Sequence, residues 1–159
     1  MADIAVLTRN YSKHLDFSIK KQKPITFYSN VAWKRIEKAH NNEGKDVVVY
    51  FVAVKHSDVV TENQDEVTYS GKLREILISP DVGNPLLVEL LAHAPDEAAK
   101  NAIANGQLKT IYSVSGIKQI SPLCQTALQK VSDGKHVSKD YIRSYCIVKP
   151  YKPAETVEN

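Results

Sequence analysis

A chain of 159 residues has the size of one ordinary domain, and with 43% hydrophobic and 25% charged residues its composition is that of a globular protein. It is long enough to bury a core without disulfide or metal staples. The net charge is a modest +3, and no apolar run reaches the roughly 18 residues of a membrane-spanning helix, which excludes such a helix.

The first forty residues carry extended and helical signals in turn. Residues 3–11, DIAVLTRNY, predict a short strand. The chain is extended again around Pro24, because a proline disfavours the helical conformation of the residue before it. Ser29 or Asn30 can cap a helix over residues 31–40, where apolar side chains fall on one side and charged ones largely on the other.

The most apolar stretch is GKDVVVYFVAVKHS, residues 44–57. Seven of the eight residues from Val47 to Val54 are β-branched or aromatic, and such side chains pack well on a pleated sheet but lose rotamer freedom in a helix. Gly44 precedes the run and polar residues follow it. We therefore predict that residues 46–55 form an interior strand covered on both faces.

The next strand, VTYSGKLREILISP, changes its pattern halfway. Apolar residues keep one parity as far as Leu73 and take the opposite parity at Ile76. A parity change indicates a bulge or a sharp bend near Arg74 and Glu75, and Gly71 eases the curvature. Strands bent in this way turn the corners of small barrels.

Two helices are predicted in the middle of the chain, over residues 84–94 and 95–106. The second has Pro95 at its first helical position and acidic residues in its first turn. The first is richer in leucine than a short surface helix requires, which predicts a face for a dimer or a protein partner. The leucines of this face are Leu86, Leu87, Leu90 and Leu91.

The last third of the chain returns to strands. Residues 109–120 predict a strand with a break at Ser115 and Gly116. Pro122 begins a short predicted helix over residues 122–131. Residues 141–151 alternate so that a final strand has two usable faces.

Strands and helices are thus interspersed, and no glycine-rich phosphate loop follows a strand, which disfavours a doubly wound parallel sheet. We predict one α+β domain over residues 1–150. Its architecture is a curved, mostly antiparallel sheet or partial β-barrel with several short helices packed outside. Residues 151–159 are expected to form a disordered tail.

The order of NVAWKRIEKA, GKDVVVYFVAV, YSGKLREILIS, KTIYSVSGIKQISPL and YIRSYCIVKPY resembles the PUA-like superfamily, and the EVE and ASCH-type domains within it. The resemblance covers about residues 25–149. It departs from the EVE pattern in two places: the only tryptophan, Trp33, lies inside the predicted helix rather than ahead of it, and the helix pair over residues 84–105 is an unusually long insertion.

The resemblance implies a nucleic-acid-binding module. PUA-like domains generally bind RNA, and EVE-type members are thought to read modified bases in DNA or RNA; an extruded base stacks on aromatic rings while Lys and Arg hold the backbone. Carried over to this chain, one pocket wall comprises Tyr28, Ser29, Asn30 and Trp33. The opposite wall comprises Tyr141, Arg143 and Tyr145, with His136 and Lys139 near the phosphates.

The same residues have plainer interpretations. Trp33 is also expected as a core anchor, because aromatic side chains bury the largest areas. Ser29 and Asn30 also fit a helix cap, and Arg143 also fits a solvated strand residue. RNA and DNA both remain open as ligands.

The charge distribution adds to the nucleic-acid hypothesis. Residues 1–56 carry ten Lys and Arg against five Asp and Glu, residues 57–108 three against nine, and residues 109–159 eight against four. If the two basic ends meet in space, they form a basic face suited to a polyanion. The alternative is a small protein-interaction or inhibitor module of the phage or plasmid accessory type that binds no nucleic acid.

Enzymatic activity is not indicated. No serine sits in a nucleophile elbow, and Asp133–His136 is expected to be a turn rather than a catalytic loop. The five histidines have no metal-site spacing, so we predict neither a metal nor a cofactor. Without a signal peptide, we expect a cytoplasmic location, with Cys124 and Cys146 as free thiols.

Overall fold

The computed structural model of the protein describes residues 3–21, 23–54, 66–80, 83–105, 108–139, 141 and 145–151, with the backbone alone at residues 11–13 and 54. Strands and helices alternate along these residues, as expected of an α+β fold. The strands are β1 (Ile4–Tyr11), β2 (Ile25–Ser29), β3 (Val47–Val54), β4 (Glu66–Ile78), β5 (Thr110–Cys124) and β6 (Tyr145–Val148). The helices are α1 (Ser12–Lys21), α2 (Lys34–Glu37), α3 (Pro85–Ala92) and α4 (Glu97–Ala104).

The strands form one six-stranded sheet in the order β2-β5-β4-β3-β1-β6. β1 and β3 run parallel, and the other neighbouring pairs are antiparallel. The sheet is mixed and is not closed into a barrel, so β2 and β6 remain its two edges. The predicted α+β class, with a mostly antiparallel sheet and packed helices, is confirmed. The two basic ends of the chain do meet, because the first and last strands pair.

β3 lies between β4 and β1, as predicted for an interior strand. Val49 and Phe51 point to one face of the sheet, which we call the inner face; it is covered by α1 and α2. Tyr50 and Val52 point to the outer face, where the chain around Leu128 and Val137 packs on them. Burial on both sides explains why this strand has no polar face.

The pairing of the long strands β4 and β5 is irregular where the parity change predicted a bulge or bend. Their register shifts between Leu73 and Glu75. Gly71 is needed here for a reason other than curvature: a Cβ at this position would lie 2.5 Å from Val114 Cγ1 and 3.0 Å from Ile117 Cγ1. The side chains of Val114 and Ile117 can therefore lie over residue 71 only because it has no side chain.

The structure differs from the sequence analysis at two helices. α1 was not expected from the sequence, yet residues 12–21 form a helix that places Leu15 in the inner core. The helix predicted from Pro122 is absent among the described residues; β5 continues to Cys124 and only one 3₁₀ turn, Gln125–Ala127, follows. Pairing of Leu123 with Val67 holds this stretch extended, so ladder hydrogen bonds override the local helix signal.

The starts of two helices also differ from prediction. α2 begins at Lys34 with Trp33 as its N-cap residue and continues into a π-helical turn over Lys38–Asn42. Neither Ser29 nor Asn30 caps it. In α4, Asp96 is the N-cap, and its carboxylate accepts a hydrogen bond from Ala99 N at 2.8 Å. Pro95 therefore precedes the helix and does not occupy its first position.

The leucine-rich helix α3 packs on the outer face of the sheet. Leu87 and Leu90 are buried with Ile103 of α4 and Ile111 of β5. Leu86 and Leu91 are half-buried against the same cluster. Much of the leucine pattern is thus explained by packing inside the chain.

Candidate functional site

Five aromatic rings form a continuous column through the inner core. Successive ring centroids lie 5.2 Å apart for Phe51 and Phe27, 5.7 Å for Phe27 and Tyr112, 4.4 Å for Tyr112 and Trp33, and 5.3 Å for Trp33 and Tyr145. We call these residues the aromatic column. Because β2 and β5 lie at one end of the open sheet and β6 at the other, the column joins both ends across the interior.

Trp33 is fixed from two sides. It is 0% exposed, and its backbone N–H donates to Thr110 Oγ1 at 3.0 Å, while that hydroxyl donates to Val31 O at 2.7 Å. Its ring stacks on Tyr145 at an interplanar angle of 23°. The indole N–H has no acceptor within the described part of the chain.

Tyr145 is the member of the column that reaches the surface. It is half-buried, and its hydroxyl lies 3.5 Å from Ala32 O, just before α2. Of the two stacked residues, Trp33 is fully buried and only Tyr145 is partly exposed. Trp33 and Tyr145, which were assigned to opposite walls of the predicted pocket, lie in ring contact.

Polar side chains at the end of β1 surround the column. Thr8 and Asn10 point to the inner face and hydrogen-bond the hydroxyl of Tyr112. Complete burial raises the pKa of Tyr112 far above its ordinary value, although these hydrogen bonds act in the opposite direction. The phenol therefore stays neutral and serves as a fixed hydrogen-bonding group inside the core.

On the outer face, Arg9 and Gln125 meet the chain that leads to β6. Arg9 Nη2 donates to Gln125 Oε1 at 3.0 Å and to Tyr141 O at 2.5 Å. The Tyr141 hydroxyl donates to Tyr145 O at 2.9 Å. Tyr141 thus belongs to the same end of the molecule as Tyr145, but it contacts the outer core.

The other three residues of the first predicted pocket wall have surroundings different from those of Trp33. Tyr28 packs on the α3–α4 cluster at the outer face. The Ser29 hydroxyl accepts a hydrogen bond from Val31 N at 3.2 Å, which shapes the turn before α2. Asn30 is exposed in that turn.

The predicted phosphate contacts lie on the loop between β5 and β6. His136 and Lys139 are both exposed, and His136 Nδ1 is 2.8 Å from Thr126 O. Asp133 accepts a hydrogen bond from Lys135 N at 2.9 Å, which confirms the predicted turn and holds the pKa of this carboxyl below its usual value. Arg143 lies outside the described residues.

A second set of cations lies closer to the column. Lys34, Arg35 and Lys38 are exposed on α2 and its π-helical continuation. Within the described ranges, none of the three has a carboxylate within 4.0 Å, and the nearby acid of this helix, Glu37, is half-buried. This basic helix edge starts two residues after the carbonyl that the Tyr145 hydroxyl contacts.

The sequence did not identify several residues that lie around Tyr145 and the end of β1. Thr8, Arg9 and Asn10 are consecutive polar residues at the end of an apolar strand, and that change from apolar to polar was the available signal. Gln125 and Tyr112 carried no signal, because both become important only through contacts with β1.

No group of three or more His, Cys, Asp or Glu residues suited to a metal ion occurs among the residues described. The described helices are all too short or too polar to cross a membrane. A scan against models of known protein families finds no match, and a search of curated proteins finds no similar sequence.

Proposed function

We propose that this protein is a nucleic-acid-binding module of the PUA-like, EVE-like type, in which an unpaired or flipped base stacks on Tyr145. The observation that carries the proposal is the Trp33–Tyr145 stack, which presents a half-buried phenol ring backed by a fully buried indole. Base–aromatic stacking is worth about 1–3 kcal/mol per base.

The fixed position of the Tyr145 ring supports the proposal. A ring that is already held in place loses little conformational freedom when a base stacks on it. Tyr145 is held by its ring contact with Trp33, by its hydroxyl near Ala32 O and by the bond that its own carbonyl accepts from Tyr141. Asn10 lies on the same face and supplies an amide next to the column.

Support from charge comes from α2. The exposed Lys34, Arg35 and Lys38 begin beside the ring, so a strand whose base reaches Tyr145 can place its phosphates along this helix. Cations that neutralise phosphates release condensed counterions, which makes the affinity fall with salt. His136 and Lys139, on the β5–β6 loop, are further candidates for this role.

The test is a binding panel at low and moderate salt. Fluorescence anisotropy with labelled single- and double-stranded DNA and RNA, including oligonucleotides with common base modifications, should reveal affinity for at least one unpaired or modified ligand. That affinity should fall steeply between 50 mM and 200 mM salt. No binding to any member of the panel at low salt would end the nucleic-acid proposal.

The second candidate is a protein-interaction module. It is favoured by Val88, which is 68% exposed in the middle of α3 beside the half-buried Leu91. The absence of nucleic-acid binding by the wild-type protein across the panel would favour this second candidate. Val88→Asp, combined with a measurement of the oligomeric state, tests whether it is a self-association surface.

A further inference from the structure

We infer that Arg9, Gln125 and Tyr141 form a hydrogen-bonded relay that positions Tyr145 against Trp33, so that all three are positioning residues for the base contact. The inference rests on the proposed function as far as binding is concerned. The relay itself is a structural arrangement that can be tested without any ligand.

The relay begins at Gln125, whose side chain is completely buried in the 3₁₀ turn after β5. Its amide nitrogen donates to three backbone carbonyls, those of Ser138 at 2.7 Å, Tyr141 at 3.0 Å and Lys139 at 3.3 Å. An amide NH₂ carries two hydrogens, so one of these contacts is shared. A hydrophobic side chain at this position would remove the donor that joins these three carbonyls.

Arg9 holds the other side of the amide. Its Nη2 donates to Gln125 Oε1 at 3.0 Å and to the same Tyr141 carbonyl at 2.5 Å. Hydrogen bonds from a charged donor are stronger than neutral ones. The guanidinium therefore fixes which end of the Gln125 amide faces the carbonyls, and it ties Tyr141 to the C-terminal end of β1.

Tyr141 connects the hydrogen bonds on the outer face to Tyr145, whose ring lies on the inner face. Its backbone carbonyl is held by Arg9 and Gln125, and its hydroxyl donates to Tyr145 O at 2.9 Å. Tyr145 pairs with Thr8 in the sheet, and its ring stacks on Trp33. The position of the first residue of β6 is thus set on both sides before a ligand arrives.

The consecutive hydrogen bonds of Arg9, Gln125 and Tyr141 are suited to hold the Tyr145 ring in place. A stacking ring that must stay within a fraction of an ångström of its position needs supporting residues whose own conformations are locked. The geometry supplies this support: the amide of Gln125 is saturated, and Arg9 and Tyr141 each contact two members of the relay.

The decisive variants are Tyr141→Phe, which removes only the hydroxyl, and Gln125→Glu, which keeps the acceptor for Arg9 but removes the donor to the carbonyls. The chain has one tryptophan, so the indole N–H of Trp33 gives a single, unambiguous resonance in a ¹H–¹⁵N NMR spectrum. Tyr151→Phe and Gln129→Glu serve as matched controls; Tyr151 is exposed, and Gln129 donates to Gly134 O in a surface turn.

We expect both relay variants to shift the Trp33 resonance, because the ring currents of Tyr145 act on it, while the controls leave it in place. Affinity for the best oligonucleotide should fall about two- to tenfold in Tyr141→Phe, the effect of one lost hydrogen bond, with an unchanged salt slope. If Gln125→Glu does not fold, Tyr141→Phe decides alone.

An unmoved Trp33 resonance in folded Tyr141→Phe would overturn the relay. A shifted resonance with full affinity, in a protein whose wild type binds nucleic acid, would overturn the positioning role. A shifted resonance in a protein that binds no nucleic acid would uphold the relay and reject the proposed function, so the two failures are distinguishable.

Discussion

Trp33 and Tyr145 stack with ring centroids 5.3 Å apart, and this contact ties the last strand of the sheet to the residue that caps α2. β6 is an edge strand, and α2 leads from the opposite edge strand, β2. The stack therefore links the two edges of an open sheet through a side-chain contact. It also places the one partly exposed ring of the column beside a basic helix.

Tyr145→Ala should weaken binding to an unpaired or modified base by roughly 1–3 kcal/mol, because the stacking surface is removed. Tyr145→Phe should retain most of the affinity, since the ring remains. Anisotropy titrations measure both, and thermal melts establish that each variant is folded. Tyr151→Ala is the control; if it costs as much as Tyr145→Ala, the stacking site is not at Tyr145.

Replacing Lys34, Arg35 and Lys38 together by Gln should lower the salt dependence of binding. For single strands, each lost phosphate contact reduces the slope of log K against log salt by about 0.7. The matched control replaces Lys45, Lys72 and Lys100, which removes the same charge from cations that already lie beside carboxylates. Equal slopes for the two triple variants would contradict a phosphate path along α2.

Gly71→Ala should destabilise the fold by about 1–3 kcal/mol, because the added Cβ would overlap Val114 Cγ1 of the neighbouring strand β5. Chemical denaturation measures the loss. Gly83→Ala is the control, since a Cβ there meets nothing within 4 Å. The double variant Gly71→Ala/Val114→Ala should cost less than the sum of the single variants, and strict additivity would show that the overlap is not the cause.

Stability should fall as the pH rises above about 10, the usual pKa of tyrosine. Burial raises the pKa of Tyr112, and also those of Tyr50 and Tyr69, in the folded protein. Above pH 10 the unfolded chain then binds fewer protons than the folded one, so the free energy of unfolding decreases with pH, by at most about 1.4 kcal/mol per pH unit and group.

Urea denaturation between pH 8 and pH 11.5 measures this dependence. Tyr112→Phe should flatten the curve above pH 10, because the most deeply buried of the three phenols is removed. Tyr151→Phe, which alters an exposed ring, should leave the curve unchanged. A curve of the same steepness in Tyr112→Phe and wild type would show that another group dominates the alkaline transition.

The local residue pattern was sufficient to predict the central strands and α3. The β-branched run Val47–Val54 has no conformation better suited to it than a buried strand. The parity change before Ile76 requires a bulge or a bend wherever the strand is placed. Asn84 and Pro85 begin α3 as their backbone preferences predict. In these segments the information lies within a few residues, so the sequence alone determines the element.

Tertiary contacts decided the rest. Residues 122–124 are extended because β4 offers them ladder hydrogen bonds, and α2 starts at Lys34 because Thr110 holds the backbone N–H of Trp33. The candidate site depends on such long-range pairs throughout. Trp33 meets Tyr145, and Arg9 meets Gln125, only after the first, second, fifth and sixth strands have been arranged around one core. Sequence thus determined which segments were apolar, bent or capped, whereas the packing of the open sheet decided which polar and aromatic side chains came to lie together.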